Sequence, residues 1–165
     1  MSAVHQADDP HARLRDLGLE LPAPPAAVAS YVPAIVVPIS EGRVLVSVSG
    51  QVAWRDGRPL SEGRVPDQVS VEQAVDNARA CGLNVLAQLE QAVGLGNVEQ
   101  VLQLTVYVRC ADDFSAQPRV ANGASDLLVA VLGEKGRHAR AAVGVNALPL
   151  GVPVEVSALA LARLG

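Results

Sequence analysis

The segment that most constrains the fold of this chain is residues 136–159, where two apolar stretches each carry one charged side chain. Small and branched apolar residues surround Arg140 and again Glu155, and they alternate with the period of two that is typical of β-strands. A charge within such a stretch is costly to bury unless it is paired or meets a ligand. Arg140 and Glu155 therefore predict either an ion pair or a site.

The length of the chain indicates one domain. A chain of 165 residues can bury a substantial core, so we expect a single domain over residues 1–165. Residues 1–24 are expected to form an N-terminal extension with a short helix, because Asp9 can cap a helix that Pro10 begins. A proline-rich connector at 21–27 and a turn at Asp56 are also predicted.

Charge and composition argue against several classes of protein. The formal net charge of −4 leaves no basic stripe, so a nucleic-acid partner is not expected. Cys81 and Cys110 have neither disulfide-framework nor zinc-site spacing, and we expect no metal and no cofactor. Because we find no secretory signal and no apolar run of membrane-spanning length, we expect a soluble cytoplasmic protein without a membrane partner.

The spacing of apolar residues predicts two main helices and five strands. Helices are expected over 70–93, with Ser70 as the cap, and over about 118–132. Strands are expected over 32–38, 43–52, 98–109, 138–146 and 152–161. On the third of these, one face is expected to carry Leu102, Leu104, Val106 and Val108. The order predicts an α+β domain with a mixed sheet and both main helices on one face.

The last predicted strand is apolar on both faces. Val154 and Val156 point one way, whereas Leu159 and Leu161 point the other way. Two helices can cover only one face of a sheet, so we expect the second face to be buried by a neighbouring subunit.

Arg140 and Glu155 can be interpreted in two ways. Arg140 shares a strand face with the small residues Ala142 and Gly144, which leave space around a guanidinium that can bind a carboxylate. An apolar setting would raise the pKa of Glu155 towards the range useful for acid–base chemistry. The alternative is a salt bridge between the two, and residue types alone favour neither. His138 has no partner at metal spacing and is expected to be structural.

Several segments resemble the RidA/YjgF family of enamine/imine deaminases, a group often labelled endoribonuclease L-PSP. The resemblance covers residues 21–161 and is carried by YVPA from Tyr31, SGQV from Ser49, NVLAQLEQAVG, LTVYVRCADDF, and HARAAVGVNALP followed by VPVEVSALA. The combination of NGASDLL with GRHARAAVG is closer to a divergent branch than to the best-known members.

The resemblance implies a chorismate-mutase-like α+β fold and a homotrimer with clefts between its subunits. It implies that Arg140 binds the substrate carboxylate, that Glu155 orients or activates the attacking water, and that Tyr31 lines the same cleft. Ser49, Gly50 and Gln51 match a loop beside that cleft. The chain departs from the family pattern at two further site positions, where Asp112 replaces the usual asparagine and Ala142 replaces a frequent cysteine.

The activity that the resemblance implies is the hydrolysis of reactive 2-enamino or 2-imino acids, such as 2-aminoacrylate, to 2-keto acids and ammonia. The expected ligand is therefore a small imine, enamine or keto acid that bears a carboxylate. The alternative is a non-enzymatic trimer that binds small carboxylates or acts as a chaperone. Ribonuclease activity, suggested by the historical label, has little support in an acidic chain without a pair of catalytic histidines.

Overall fold

The computed structural model describes residues 9–24, 30–55 and 57–165. The elements follow one another as α1 (Pro10–Asp16), β1 (Ala34–Ser40), β2 (Arg43–Val52), β3 (Trp54–Arg55), β4 (Arg58–Pro59), α2 (Val71–Val93), β5 (Val98–Arg109), α3 (Gln117–Leu132), β6 (Ala139–Val145) and β7 (Val154–Arg163). Each predicted helix and strand is confirmed to within about two residues at its ends. The predicted extension, connector and turn include residues 1–8, residues 25–29 and Asp56, which lie outside the described residues.

Helices α1 and α2 begin where the sequence supplies a capping side chain. The Asp9 side chain accepts a hydrogen bond from the backbone N–H of His11 at 2.9 Å and so caps α1. At the start of α2 the Ser70 hydroxyl accepts from Gln73 N at 3.1 Å, and the Gln73 side chain accepts from Ser70 N at 2.9 Å. This reciprocal pair is a capping box, as predicted from Ser70. Gly94 follows the last residue of α2 with a φ of 79°.

The five long strands form one mixed sheet in the order β1-β2-β7-β5-β6. Neighbouring strands are antiparallel except β5 and β6, which run parallel. A parallel pair needs a long crossover connection, and α3 provides it. The strand that carries Arg140, β6, lies at the edge of the sheet and is the first strand after α3.

Both main helices cover one face of this sheet, as predicted. Leu104, Val106, Val154 and Val156 are fully buried beneath α2 and α3 and belong to one continuous core. The prediction that Leu102 lies on the same face as Leu104 is wrong. The pairing of β5 with β7 shifts register between Val101 and Gln103, and this extra residue leaves Leu102 36% exposed.

The other face of the sheet is apolar and open, because no element among the described residues lies over it. On β1, Ile35 and Val37 are 53% and 48% exposed, and they pair with β2 residues of the open face. Leu159 and Leu161 on β7 are half-buried. We refer to this surface as the open face. Within the described ranges, no helix has both the length and the apolar character needed to cross a membrane.

Helices α2 and α3 approach each other so closely that Gly123 leaves no room for a side chain. A Cβ built on Gly123 would lie 2.2 Å from the carbonyl oxygen of Val75 and 3.1 Å from the backbone nitrogen of Arg79. Both atoms belong to the backbone of α2, so neither can yield without separating the helices. This contact fixes the position of α3 over the sheet.

We expect Gly123→Ala to lower the free energy of unfolding by about 1–3 kcal/mol, despite the better helix propensity of alanine, because the added methyl overpacks the interface. Denaturant unfolding of the variant and the parent measures the difference. Gly96→Ala is the matched control, since a Cβ there would have no atom within 4 Å. Equal stability of the two variants would contradict the close approach.

Candidate functional site

Arg140 lies at the edge of the sheet, on the face that the helices cover. Its Cα partner on β5 is Leu104, whose side chain is buried beneath the helices. The guanidinium reaches α3: Nη1 donates to Asn122 Oδ1 at 2.9 Å and to Ser125 Oγ at 3.0 Å, and Nη2 donates to the Pro118 carbonyl at 3.3 Å. The residue is nevertheless exposed, so a ligand can reach it.

Three of the five guanidinium N–H groups are used in these bonds. The Nε–H and one Nη2–H of Arg140 have no acceptor among the described residues. Two free donors on one planar group match the two oxygens of a carboxylate. Arg140 is therefore held by α3 in a way that leaves it able to bind an anion.

Glu155 projects from the start of β7 onto the open face. Its neighbours Val154 and Val156 are fully buried on the other face, as the predicted alternation requires. Glu155 pairs in register with Val52 on one side and Tyr107 on the other. The carboxylate forms no hydrogen bond or ion pair with any residue that the structure describes. It is half-buried, and this burial raises the pKa of the Glu155 carboxyl.

The Glu155 carboxylate lies over a bulge in β2, at a position where only glycine leaves room for it. The pairing of β2 with β7 shifts register between Val48 and Gln51. A Cβ built on Gly50 would lie 1.8 Å from Glu155 Oε1, so the carboxylate occupies the space that any other residue would fill. The absence of a side chain at position 50 is what allows the carboxylate to lie there.

Ser49 joins this bulge to the segment that precedes β1. Its hydroxyl donates to the Val32 carbonyl at 2.7 Å, and its backbone N–H donates to Pro33 O at 2.9 Å. Tyr31, which is 47% exposed, immediately precedes this tied segment. The structure thus brings the backbone around Tyr31 to the Ser49–Gly50 bulge, next to Glu155.

Gln51, by contrast, does not face this region. Its side chain is 6% exposed and lies on the helix-covered face, where Nε2 donates to Ser49 O at 3.0 Å and Oε1 accepts from Gln88 Nε2 at 3.4 Å. Gln51 therefore supports the bulge from inside the core. Its predicted placement beside a ligand remains a prediction that this geometry does not favour.

Ala142 and Asp112 complete the predicted set. Ala142 is half-buried on the helix-covered face, two residues from Arg140. Asp112 is exposed beyond the end of β5. The last residue of β5 pairs with Val145 of β6, so Asp112 follows the end of β5 that is remote from Arg140. The pKa of the Arg64 guanidinium is raised mainly by its hydrogen bond with Asp67, and Asp112 adds a smaller contribution. Asp112 therefore lies near enough to Arg64 for a weak electrostatic interaction.

Arg140 and Glu155 lie on opposite faces of one sheet. Strand β5 separates β6 from β7, and the residues paired with Arg140 and Glu155 on β5 are Leu104 and Tyr107, which face opposite ways. The salt bridge considered as an alternative does not form within the chain. A site that uses both side chains needs the Arg140 of one copy and the Glu155 of another.

Three polar residues around Arg140 were not identified from the sequence as a group. Asn122 and Ser125 accept hydrogen bonds from its guanidinium, and Ser125 Oγ in turn lies 2.9 Å from His138 Nε2. His138, predicted to be structural, is hydrogen-bonded through both ring nitrogens. Positions 118, 122 and 125 recur with helical spacing, and this is the sequence signal that could have placed them on one side of α3. In the part of the chain that the structure describes, no three His, Cys, Asp or Glu side chains gather as a metal would require.

Comparison with known proteins identifies the family. A family model described as "YjgF/chorismate_mutase-like, putative endoribonuclease" matches residues 11–160. The chain is 41% identical over 150 residues to Protein TCP17 of Trypanosoma cruzi, an alignment that covers 90% of this chain and 91% of that protein. The two chains are thus similar over nearly their whole lengths.

Solved structures show the same relationship. The protein Atu1372 of Agrobacterium tumefaciens, whose function is unknown, is 38% identical with a TM-score of 0.83, and 98% of each chain is covered. The YjgF gene product of E. coli is 26% identical with a TM-score of 0.57, over 86% of this chain and 94% of the other. The greater likeness to Atu1372 agrees with a divergent branch. The chain belongs to the YjgF/RidA family and has its chorismate-mutase-like α+β fold.

Proposed function

We propose that this protein hydrolyses reactive 2-enamino and 2-imino acids to 2-keto acids and ammonia, in a cleft between two copies of the chain. The observation that carries the proposal is the separation of Arg140 and Glu155 on opposite faces of the sheet. Arg140 has two free N–H donors. Glu155 has free carboxylate oxygens, and they occupy the space that a side chain at Gly50 would fill. Each side chain supplies half of a site for a small carboxylate-bearing electrophile.

In this proposal Arg140 binds the substrate carboxylate. Its Nε–H and remaining Nη2–H meet the two carboxylate oxygens, while α3 holds the other donors. Binding at this end fixes the position of the imine carbon relative to the protein, and such positioning contributes much of the rate in a hydrolysis without a covalent intermediate.

Glu155 of the adjacent copy accepts a proton from the attacking water. The water oxygen bonds to the imine carbon as one water proton moves to the Glu155 carboxylate, and the protonated Glu155 then passes that proton to the nitrogen, which restores the carboxylate. The resulting carbinolamine then loses ammonia and leaves the 2-keto acid, so that one water is consumed for each ammonia released. The raised pKa of Glu155 makes it a stronger base than an ordinary solvated carboxylate.

The apolar open face supports the proposal that a second copy of the chain supplies the other half of the site. Ile35, Val37, Leu159 and Leu161 offer an apolar surface that is continuous with the sheet carrying Glu155. An apolar surface of this kind is typical of a subunit interface. We therefore propose the homotrimer that the family resemblance implies, with Tyr31 and the Ser49–Gly50 bulge lining the cleft beside Glu155.

The first test follows pyruvate as it forms from 2-aminoacrylate that a serine dehydratase releases. We expect the protein to accelerate this step, and Arg140→Ala to reduce the acceleration by roughly 100-fold through loss of the carboxylate contact. Arg140→Lys should also be impaired, because one ammonium cannot reproduce a planar fork. Full activity of Arg140→Ala would refute the proposal. Saturable binding of a 2-keto acid without turnover would support the non-enzymatic alternative instead.

The Gly50→Ala variant tests the role of the Glu155 carboxylate in hydrolysis separately from the stability of the fold. The new methyl would displace only the end of the Glu155 side chain, so we expect unfolding to remain nearly unchanged while imine hydrolysis falls by roughly tenfold or more. Activity and denaturant unfolding are measured on the same preparation, with Gly96→Ala as the control for a glycine without neighbours. Undiminished hydrolysis by a folded Gly50→Ala variant would argue against Glu155 as the base.

The pH dependence of stability tests the environment of Glu155. Because burial raises its folded pKa above the ordinary value of about 4.5, the parent loses stability as pH rises from that value through the folded pKa. We expect Glu155→Gln to gain in thermal stability relative to the parent over this window and to keep the gain at neutral pH. The difference should be smallest below about pH 4, where the carboxyl is protonated in both states. A glutamine variant that is less stable at neutral pH would indicate a stabilising ion pair instead.

A further inference from the structure

The side chains around Arg140 form a hydrogen-bonded chain that begins in the loop before β6. His138 Nδ1 lies 2.6 Å from the Gly136 carbonyl, and His138 Nε2 lies 2.9 Å from Ser125 Oγ. A carbonyl oxygen can only accept, so in the neutral imidazole the proton is on Nδ1 and Nε2 is an acceptor. The Ser125 hydroxyl must then donate to Nε2.

This direction leaves the Ser125 oxygen free to accept from Arg140. Arg140 Nη1 donates to Ser125 Oγ at 3.0 Å and places its second proton on Asn122 Oδ1 at 2.9 Å. Both protons of Nη1 are therefore assigned, and the plane of the guanidinium is set by two side chains of α3. His138 acts on the guanidinium only through Ser125, because it fixes the direction in which that hydroxyl points.

We propose that Ser125, oriented by His138, is a positioning residue that fixes the guanidinium fork of Arg140 for two-point binding of a carboxylate. This inference rests on the proposed function of Arg140. Two-point recognition requires the fork to be held within about 10–20° of its productive orientation. An exposed arginine has many rotamers, and ordering it before the ligand arrives removes an entropic cost of binding.

The arrangement also resembles an activated nucleophile, since a serine hydroxyl faces a histidine that a third group orients. The positioning role is favoured because the same oxygen accepts a hydrogen bond from Arg140, and because Ser125 lies within α3. The two roles predict different kinetic results. Loss of a positioning hydroxyl weakens carboxylate binding, whereas loss of a nucleophile abolishes turnover and leaves binding intact.

The experiment measures 2-imino acid hydrolysis and the calorimetric affinity for a 2-keto acid in the full-length protein. We expect Ser125→Ala to raise KM and the keto-acid Kd by roughly tenfold, with kcat falling less than about threefold. Ser125→Thr keeps the hydroxyl and should retain most of the affinity. His138→Phe should behave like Ser125→Ala, and His138→Gln, which restores an acceptor, should be intermediate. Ser115→Ala, in the exposed loop before α3, is the control.

A double-mutant cycle separates this inference from the proposed function. In an Arg140→Lys background no planar fork is left to orient, so adding Ser125→Ala should change the keto-acid affinity less than twofold. An unchanged affinity in Ser125→Ala, with binding abolished in Arg140→Ala, would overturn the positioning role while the proposed function stands. Loss of turnover with intact affinity in Ser125→Ala would also overturn it. Full binding by Arg140→Ala would instead defeat the proposed function.

Discussion

The alternation of side chains across a β-sheet is the constraint on which the rest of this structure depends. Val154 and Val156 must lie in the core, and this places Glu155 on the open face. On β6 the pairing of Arg140 with Leu104 places the guanidinium on the helix-covered face. A slip of one residue in β7 would expose buried core residues, so the core enforces the position of Glu155, whereas the position of Arg140 is set by the pairing of β6 with β5 and by its hydrogen bonds to α3.

Small residues allow close contacts between the elements that position Arg140 and Glu155. Gly123 brings α3 into backbone contact with α2, and the same helix presents Asn122 and Ser125 to Arg140. Gly50 leaves room for the Glu155 carboxylate. The composition, half apolar with only four aromatic side chains, is suited to such packing. A methyl at Gly123 would push against the backbone of α2, whereas a methyl at Gly50 would displace the Glu155 carboxylate. The first glycine is therefore required by helix packing and the second by the candidate site.

Most of the fold could be predicted from the sequence because its signals are local. The Ser70 capping box and the alternation in β7 depend on neighbouring residues in the chain. The alternation predicts the wrong face for Leu102 because a bulge arises from the pairing of two strands, and the sequence pattern of one strand does not contain it. The family resemblance likewise implies that Gln51 lies in a loop beside a cleft, but it does not reveal that the Gln51 side chain turns into the core. The group formed by Asn122, Ser125 and His138 needs the α3 crossover to bring it together.

The most direct test of the two-copy site is complementation between inactive subunits. Arg140→Ala and Glu155→Gln chains are unfolded together in equal amounts, refolded into mixed oligomers, and assayed for imine hydrolysis. If each site takes Arg140 from one copy and Glu155 from the next, random mixing should restore about one quarter of the parental activity, because each intact residue is present with a probability of about one half. Mixed oligomers that form normally but remain inactive would contradict the account, since they would indicate that both residues must come from one chain.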